Sequence, residues 1–197
     1  ATDLPIDLDP YYYASSIWCF RAIRAAGGLG IFCHPYWESR NRYHIPGSLT
    51  SKLFDEAPYD AYELIGGYML NEVESNMLQV LRYQEEIRNG RDIPVVGVSD
   101  AHGCDRGDLF GWYYTIAFAD SCELPDLISS IKACRSVAVE SLPDATPRAH
   151  GPLRYAKYAH FLLREVLPQH DLLCREEGML MLAHLSGEVD AKHHLKE

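Results

Sequence analysis

The chain has 197 residues, of which 47% are apolar and 23% charged, and its formal net charge is −10. The apolar fraction is too high for a disordered protein, and the excess of 28 acidic over 18 basic residues argues against broad nucleic-acid binding, which depends on a basic surface. The length predicts one domain with at most a small appendage, and it is shorter than the roughly 250 residues of a typical closed (β/α)8 barrel.

Helices and apolar strands alternate along most of the chain. The spacing of apolar residues predicts helices at 11–26, 48–56, 71–89 and 124–135, and strands at 29–33, 59–65, 93–99, 113–119 and 136–140. Most of these strands are short apolar runs without alternation, which is typical of strands buried on both faces of a parallel sheet. Gly66-Gly67 ends the second strand. The pattern predicts an α/β fold with a mainly parallel sheet.

The composition changes after Glu140, where proline and glycine become frequent. Two further helical patterns follow, and Pro168 separates them. Their apolar faces either cover the α/β domain, which is the simpler arrangement, or recruit another subunit. The sequence therefore divides into an α/β domain (1–141), a linker (142–152) and a C-terminal helical hairpin with a polar tail (153–197).

The chain carries no segment typical of export or membrane insertion. No stretch approaches the ~18 consecutive apolar residues of a membrane span, and the first residues lack the basic and apolar regions of a signal peptide. Six cysteines are dispersed without a C-x-x-C motif, which favours free thiols in a reducing cytoplasm. The chain does not begin with Met, so we expect that it is trimmed.

Polar side chains fall at or near the ends of three predicted strands. His34 follows the first, Glu63 lies within the second, and Asp100 and His102 follow the third. Because the carboxyl ends of parallel strands share one edge, we expect these side chains to converge. Each alone has a simpler explanation: His34 as a loop histidine, Glu63 as a buried acid paired with arginine, and Asp100 as a cap of a turn. Together they predict a site for Zn, Mn or Fe, which nitrogen and oxygen ligands suit.

These elements resemble the polymerase and histidinol phosphatase (PHP) domain superfamily. The likeness rests on His34-Pro35 after one apolar strand and Ser99-Asp100-Ala101-His102 after another, and it covers roughly residues 14–140. It implies an incomplete, distorted (β/α)7 TIM-like barrel with two or three divalent metal ions. It also implies hydrolysis of phosphoesters, with small phosphorylated metabolites or nucleotides as substrates.

The resemblance maps His34, Asp100 and His102 onto metal ligands of the family, and Glu63 onto a more variable ligand position. The family opens with a His-x-His pair, whereas this chain has no such pair and its first histidine is His34. Either the opening strands have been removed, which we favour, or the chain is a degenerate member. We therefore expect this chain to have weak or no phosphatase activity.

Further roles follow from the resemblance and from position in the loops. Asp100 would anchor an ion and orient a water, His102 would complete the ligand set, and His44 would serve as general acid or be an ordinary loop histidine. Three arginines follow the ligand motifs and would meet the substrate phosphate or form surface ion pairs: Arg40, Arg42 and Arg106.

Two other functions compete with this interpretation. A non-catalytic, metal-free scaffold would use the same fold as an interaction domain. An amidohydrolase-type metallohydrolase would use a related barrel, and a panel of phosphoesters and cyclic amides would distinguish it. No oligomeric state follows from the sequence.

Overall fold

Helices and strands alternate through the residues that the computed structural model describes, which are 4, 7–39, 41–104 and 109–188. The helices are α1 (Pro10–Ala25), α2 (Gly47–Glu56), α3 (Val73–Arg88), α4 (Leu124–Lys132), α5 (Leu153–Phe161) and α6 (Leu167–Leu185). The strands are β1 (Ile31–Phe32), β2 (Glu38–Ser39), β3 (Arg42–Tyr43), β4 (Ala61–Gly66), β5 (Val95–Val98), β6 (Tyr113–Ala117), β7 (Ser136–Glu140) and β8 (Arg148–His150). The five predicted strands and the first four predicted helices are confirmed, each within a few residues.

The first helix begins at a cap that the sequence encodes. The side chain of Asp9 accepts a hydrogen bond from the backbone N–H of Tyr11 at 2.8 Å. Pro10 occupies the first turn, where its missing N–H group has no partner to lose. After the helix ends, Gly27 takes a left-handed φ of 78° and lets the chain turn towards β1.

A three-stranded parallel sheet in the order β1–β4–β5 carries the candidate residues. Ile31 pairs with Ala61, and Tyr62 pairs with Val95. All six residues of the central strand, β4, are buried, as its apolar pattern, interrupted only by Glu63, predicts. The parallel arrangement brings the carboxyl ends of the three strands to one edge.

The strands β6, β7 and β8 form a separate sheet in which both pairings are antiparallel. The prediction of a mainly parallel sheet therefore does not extend to them. β8 lies inside the segment predicted as a linker, and it pairs with β7. The two differences have separate causes: an apolar pattern does not specify the direction of a strand's partner, and β8 lies in a segment whose proline and glycine content indicates a linker.

The two sheets meet closely at Gly97 in β5. A Cβ atom at this position would overlap the backbone carbonyl oxygen of Tyr114 and lie 3.2 Å from the backbone nitrogen of Val139. The absence of a side chain lets the hydroxyl of Thr115 donate a hydrogen bond to the Gly97 carbonyl at 2.8 Å. Ser136 makes a similar bond to the carbonyl of Val95 at 2.6 Å. These contacts fix the position of β5 against the second sheet.

An aromatic core supports β1 and β4 from the side of α2. Phe54 is fully buried, and its ring centroid lies 5.6 Å from that of Phe32 and 5.1 Å from that of Tyr62. The guanidinium of Arg82 lies 4.5 Å above the Phe54 ring, a favourable cation–π arrangement. Closely packed rings of this kind leave the two strands little freedom to move.

Asp60 joins three elements at the amino-terminal end of the sheet. Its buried carboxylate accepts a hydrogen bond from the backbone N–H of Gly30 at 3.0 Å, just before β1. It also pairs with Arg24 at 2.9 Å and with Lys132 at 2.9 Å. Both cations lie in the last turns of their helices, α1 and α4, where positive charge is favourable. The cluster balances one acid with two bases.

The chain separates into two compact units, Ala1–Ala156 and Lys157–Glu197. In the second unit a π-helical segment, Leu162–Val166, leads directly into α6. The predicted separation of the two helices at Pro168 is therefore not found, because this proline lies in the first turn of α6, where its missing N–H is tolerated. No helix in the described part of the chain is long and apolar enough to cross a membrane.

Candidate functional site

Three residues with left-handed backbone conformations follow the strands of the parallel sheet. His34 follows β1 with a φ of 52°, Gly67 follows β4 with a φ of 54°, and Asp100 follows β5 with a φ of 53°. A positive φ is uncommon outside glycine, although His and Asp tolerate it better than most residues. Such strain is concentrated at functional sites, so the repetition at three neighbouring strand ends marks this edge as the candidate site.

An irregularity in β4 lies directly after Glu63. The pairing between β4 and β5 shifts between Glu63 and Ile65, so that Leu64 has no partner in the register. Bulges are rare in parallel pairings, and they re-aim side chains next to active sites. The Glu63 side chain is completely buried. The bulge therefore adjoins a carboxylate that is buried beside the strand ends.

The imidazole of His34 lies between two carboxylates. Nδ1 is 2.9 Å from Oε2 of Glu63, and Nε2 is 3.6 Å from Oδ2 of Asp100. The Nδ1–H bond is not aligned with Oε2 as in a regular hydrogen bond, so this contact is short but bent. The same Oε2 also accepts a hydrogen bond from the backbone N–H of His34 at 3.0 Å.

Gly67 leaves room for the histidine ring. A Cβ atom on this glycine would lie 2.7 Å from Cε1 of His34 and 3.1 Å from Cβ of Asp100. Its neighbour Gly66 donates its backbone N–H to the side chain of Asn76 at 2.9 Å. The glycine pair that ends β4 therefore both permits the left-handed turn and admits the ring.

The electrostatic balance of the site is negative. Burial alone would lower the pKa of His34, but the contact with Glu63 and the charges of Glu63 and Asp100 outweigh it, so that this pKa is raised. Burial, followed by the charge of Glu63, raises the pKa values of Cys33 and Tyr68 well above their ordinary range. Within the described residues, no Lys or Arg forms an ion pair with either carboxylate. Such a site attracts cations.

The other predicted site residues lie in the segments that follow β1 and β5, or outside the described part. His102 is exposed, and no ion pair among the described residues joins it to His34 or Asp100. The ring of His44 stacks on Trp37 with a centroid distance of 3.9 Å. Arg42 and His44 line a groove of about 690 Å³ that reaches Cys33, the residue before His34. Arg40 and Arg106 lie outside the described residues.

The fit of a metal ion can be tested on the distances. Two ligands of one tetrahedral ion, with bonds of about 2.0–2.2 Å, lie about 3.3–3.6 Å apart. The 3.6 Å between His34 Nε2 and Asp100 Oδ2 agrees with this spacing, whereas the 2.9 Å between His34 Nδ1 and Glu63 Oε2 is the distance of a direct contact. Among the residues described, no group of three or more His, Cys, Asp or Glu side chains is arranged to hold an ion. The two facing donors therefore fit one ion, bound with few protein ligands.

Sequence reasoning missed two parts of the site. The bulge at Leu64 leaves no signal in an apolar run that reads as a continuous strand. The role of Gly67 was partly visible, because Gly66-Gly67 stands directly after the strand. Only the fold shows that the missing Cβ makes room for His34.

No known protein family, curated protein or solved structure matches the chain. What the cluster does must therefore follow from its own geometry and charge.

Proposed function

We propose that the chain carries part of the active site of a metal-dependent phosphoesterase, in which His34 and Asp100 hold a divalent cation, Zn, Mn or Fe. The observation that carries the proposal is the 3.6 Å separation of His34 Nε2 and Asp100 Oδ2 at the carboxyl edge of a parallel sheet. An imidazole nitrogen and a carboxylate oxygen suit these ions. The resemblance to the PHP superfamily supports the same chemistry and the same pair of residues.

The residues of the chain have separate tasks in this proposal. A bound divalent ion supplies an activated water and neutralises phosphate oxygens. The side chain of Asp100 is 44% exposed and is open to an approaching ion. The side chain of His34 is 27% exposed, and Glu63 contacts its ring at Nδ1. Two protein donors are fewer than the three of catalytic zinc sites, so we expect weak metal binding and weak activity.

The substrate we propose is a small phosphorylated metabolite or nucleotide. The groove beside Cys33 contains Arg42, whose guanidinium suits a phosphate, and Tyr43, whose ring offers apolar surface. The six cysteines are all free thiols, which supports the cytoplasm as the place of action.

The test measures Zn²⁺ and Mn²⁺ binding by calorimetry and hydrolysis of a phosphomonoester panel. Asp100→Ala should weaken metal binding by at least about tenfold and abolish any metal-dependent hydrolysis. Asp120→Ala is the matched control, because its side chain is 82% exposed in a surface ion pair. If the wild-type protein binds neither ion, or if Asp100→Ala binds as wild type does, the proposal fails.

A non-catalytic, metal-free domain is the second candidate. It is favoured by the placement of both ring nitrogens of His34 near carboxylates, which stabilises the edge without any ion. Under this alternative, added metal leaves the unfolding midpoint unchanged. Under the metal-dependent proposal, saturating Zn²⁺ or Mn²⁺ raises the midpoint, because an ion that binds only the folded state stabilises it.

A further inference from the structure

We propose that Glu63 is a positioning residue whose carboxylate holds the ring of His34, with Nδ1 towards Glu63 and Nε2 towards Asp100. The purpose of this arrangement rests on the proposed function, because it presents Nε2 to a cation. The sequence suggested Glu63 as a metal ligand, whereas the distances place it against the far side of the histidine ring.

The first support is that one oxygen atom contacts His34 at two points. Oε2 of Glu63 accepts the backbone N–H of His34 at 3.0 Å and lies 2.9 Å from Nδ1 of its ring. The backbone contact helps to hold the left-handed conformation of His34, and the ring contact limits rotation of its side chain. Together they fix the backbone position of His34 and the orientation of its ring.

The second support is the unusual environment of this buried acid. Glu86 is also buried, but it pairs with Arg82 at 2.7 Å and with Arg91 at 2.6 Å. Glu63 is completely buried, and within the described part of the chain its only ion-pair partner is His34. A buried carboxylate without an arginine or lysine is costly to the fold. Its placement is therefore explained better by what it does to His34 than by stability.

The third support is that the backbone around Glu63 is shaped for this contact. The bulge after Glu63 interrupts the β4–β5 pairing, and a Cβ atom on Gly66 would overlap Oε1 of Glu63. An ordinary strand with a larger residue at position 66 would force the carboxylate away from His34. Two departures from regular strand structure thus serve the same side-chain position.

The consequence concerns which ring nitrogen carries the proton. The partner of one imidazole nitrogen determines the tautomer, and histidines that bind metals commonly donate the other N–H to a carboxylate. The Glu63 carboxylate lies 2.9 Å from Nδ1, and although this contact is bent, its negative charge favours the neutral tautomer that carries its proton on Nδ1. The lone pair of Nε2 is then directed towards Asp100, across the gap of 3.6 Å.

The test is the ¹⁵N NMR spectrum of the imidazoles in metal-free protein, at a pH where the His34 ring is neutral. His34→Asn assigns the signal. We expect the Nδ1-protonated tautomer in the wild type, its loss in Glu63→Ala, and its retention in Glu63→Gln, which keeps an acceptor oxygen. Glu86→Gln, which changes another buried acid, should leave the tautomer unchanged.

Two results would overturn the proposal: an Nε2-protonated ring in the wild type, or a wild-type tautomer in Glu63→Ala. The first does not depend on Glu63→Ala, so the test stands even if that variant does not fold. A separate arm measures Zn²⁺ affinity, where Glu63→Ala should lose about 10–100-fold. If Asp100→Ala binds Zn²⁺ as well as wild type, the metal proposal fails, while the tautomer still decides the role of Glu63.

Discussion

The two ends of the parallel sheet differ in how their carboxylates are paired. At the amino-terminal end, Asp60 is surrounded by Arg24, Lys132 and a backbone N–H. At the carboxyl end, Glu63 and Asp100 flank a single imidazole, and the nearby backbone is strained. The first arrangement neutralises a buried carboxylate with an arginine and a lysine, and the second places two carboxylates around one histidine. The comparison separates residues that stabilise the fold from residues that we propose bind a cation.

The strongest test of the comparison is Gly67→Ala. The new methyl group would meet the His34 ring in a left-handed turn, so we expect a loss of about 3 kcal/mol in urea unfolding. Gly111→Ala is the matched control, because Gly111 also has a positive φ, of 77°, but nothing lies within 4 Å of its Cβ position. Its expected cost is about 1 kcal/mol. Equal losses in the two variants would show that His34 does not occupy the space beside Gly67.

At the opposite end, Asp60→Ala should reduce the free energy of unfolding by about 2 kcal/mol. The variant leaves the Gly30 N–H without its acceptor, but Arg24 and Lys132 are half-exposed and can return to water. Zn²⁺ affinity should remain within about twofold of wild type, since the change lies at the far end of the sheet. Asp55→Ala, in an exposed ion pair with Arg91, should cost at most about 1 kcal/mol.

Acid should weaken the amino-terminal end through the same residue. Burial alone would raise the pKa of Asp60, but Lys132, the Gly30 N–H and Arg24 outweigh it, so that this pKa is lowered in the folded state. Its contribution to stability is present above the unfolded pKa of about 3.9 and is lost as the pH falls through the folded value. Between about pH 5 and about pH 3, the free energy of unfolding in urea should therefore depend less on pH in Asp60→Asn than in wild type. Parallel slopes for the two proteins would contradict this.

The smallest effect on stability is expected for Asp100→Asn. The side chain is 44% exposed, and asparagine tolerates the left-handed conformation as well as aspartate does. The free energy of unfolding should therefore change by less than about 0.5 kcal/mol. Zn²⁺ binding should nevertheless be lost, because an amide is a poor replacement for the carboxylate. A large loss of stability would show that Asp100 belongs to the structural class of Asp60.

Much of the fold was predictable because its strands are buried and its helices amphipathic. The unbroken apolar run before His34 and the one around Tyr62 both became strands of the parallel sheet. The antiparallel pairing of β6 and β7 was not predictable, since an apolar pattern carries no direction. The strand β8 was hidden in a segment rich in proline and glycine.

The candidate site was predictable in its members but not in their roles. Position at strand ends predicted that His34, Glu63, Asp100 and His102 would meet, and the distances bring the first three together. The two acids differ in the bulge that follows Glu63 and in the ring nitrogen of His34 that each one faces. Neither is encoded in residue spacing. His102 shows the same limit, because the Asp-x-His spacing gives no sign that this histidine is exposed.

The three left-handed residues at the strand ends also constrain how this protein can change over generations. A lineage selected only for heat resistance would gain by placing glycine at positions 34 and 100, because glycine accepts a positive φ at lower cost. Each replacement would remove a donor from the edge. Variants selected for catalysis should then retain His and Asp at these positions, whereas variants selected for thermal stability should lose them. This pattern would reveal a trade-off between stability and the proposed activity.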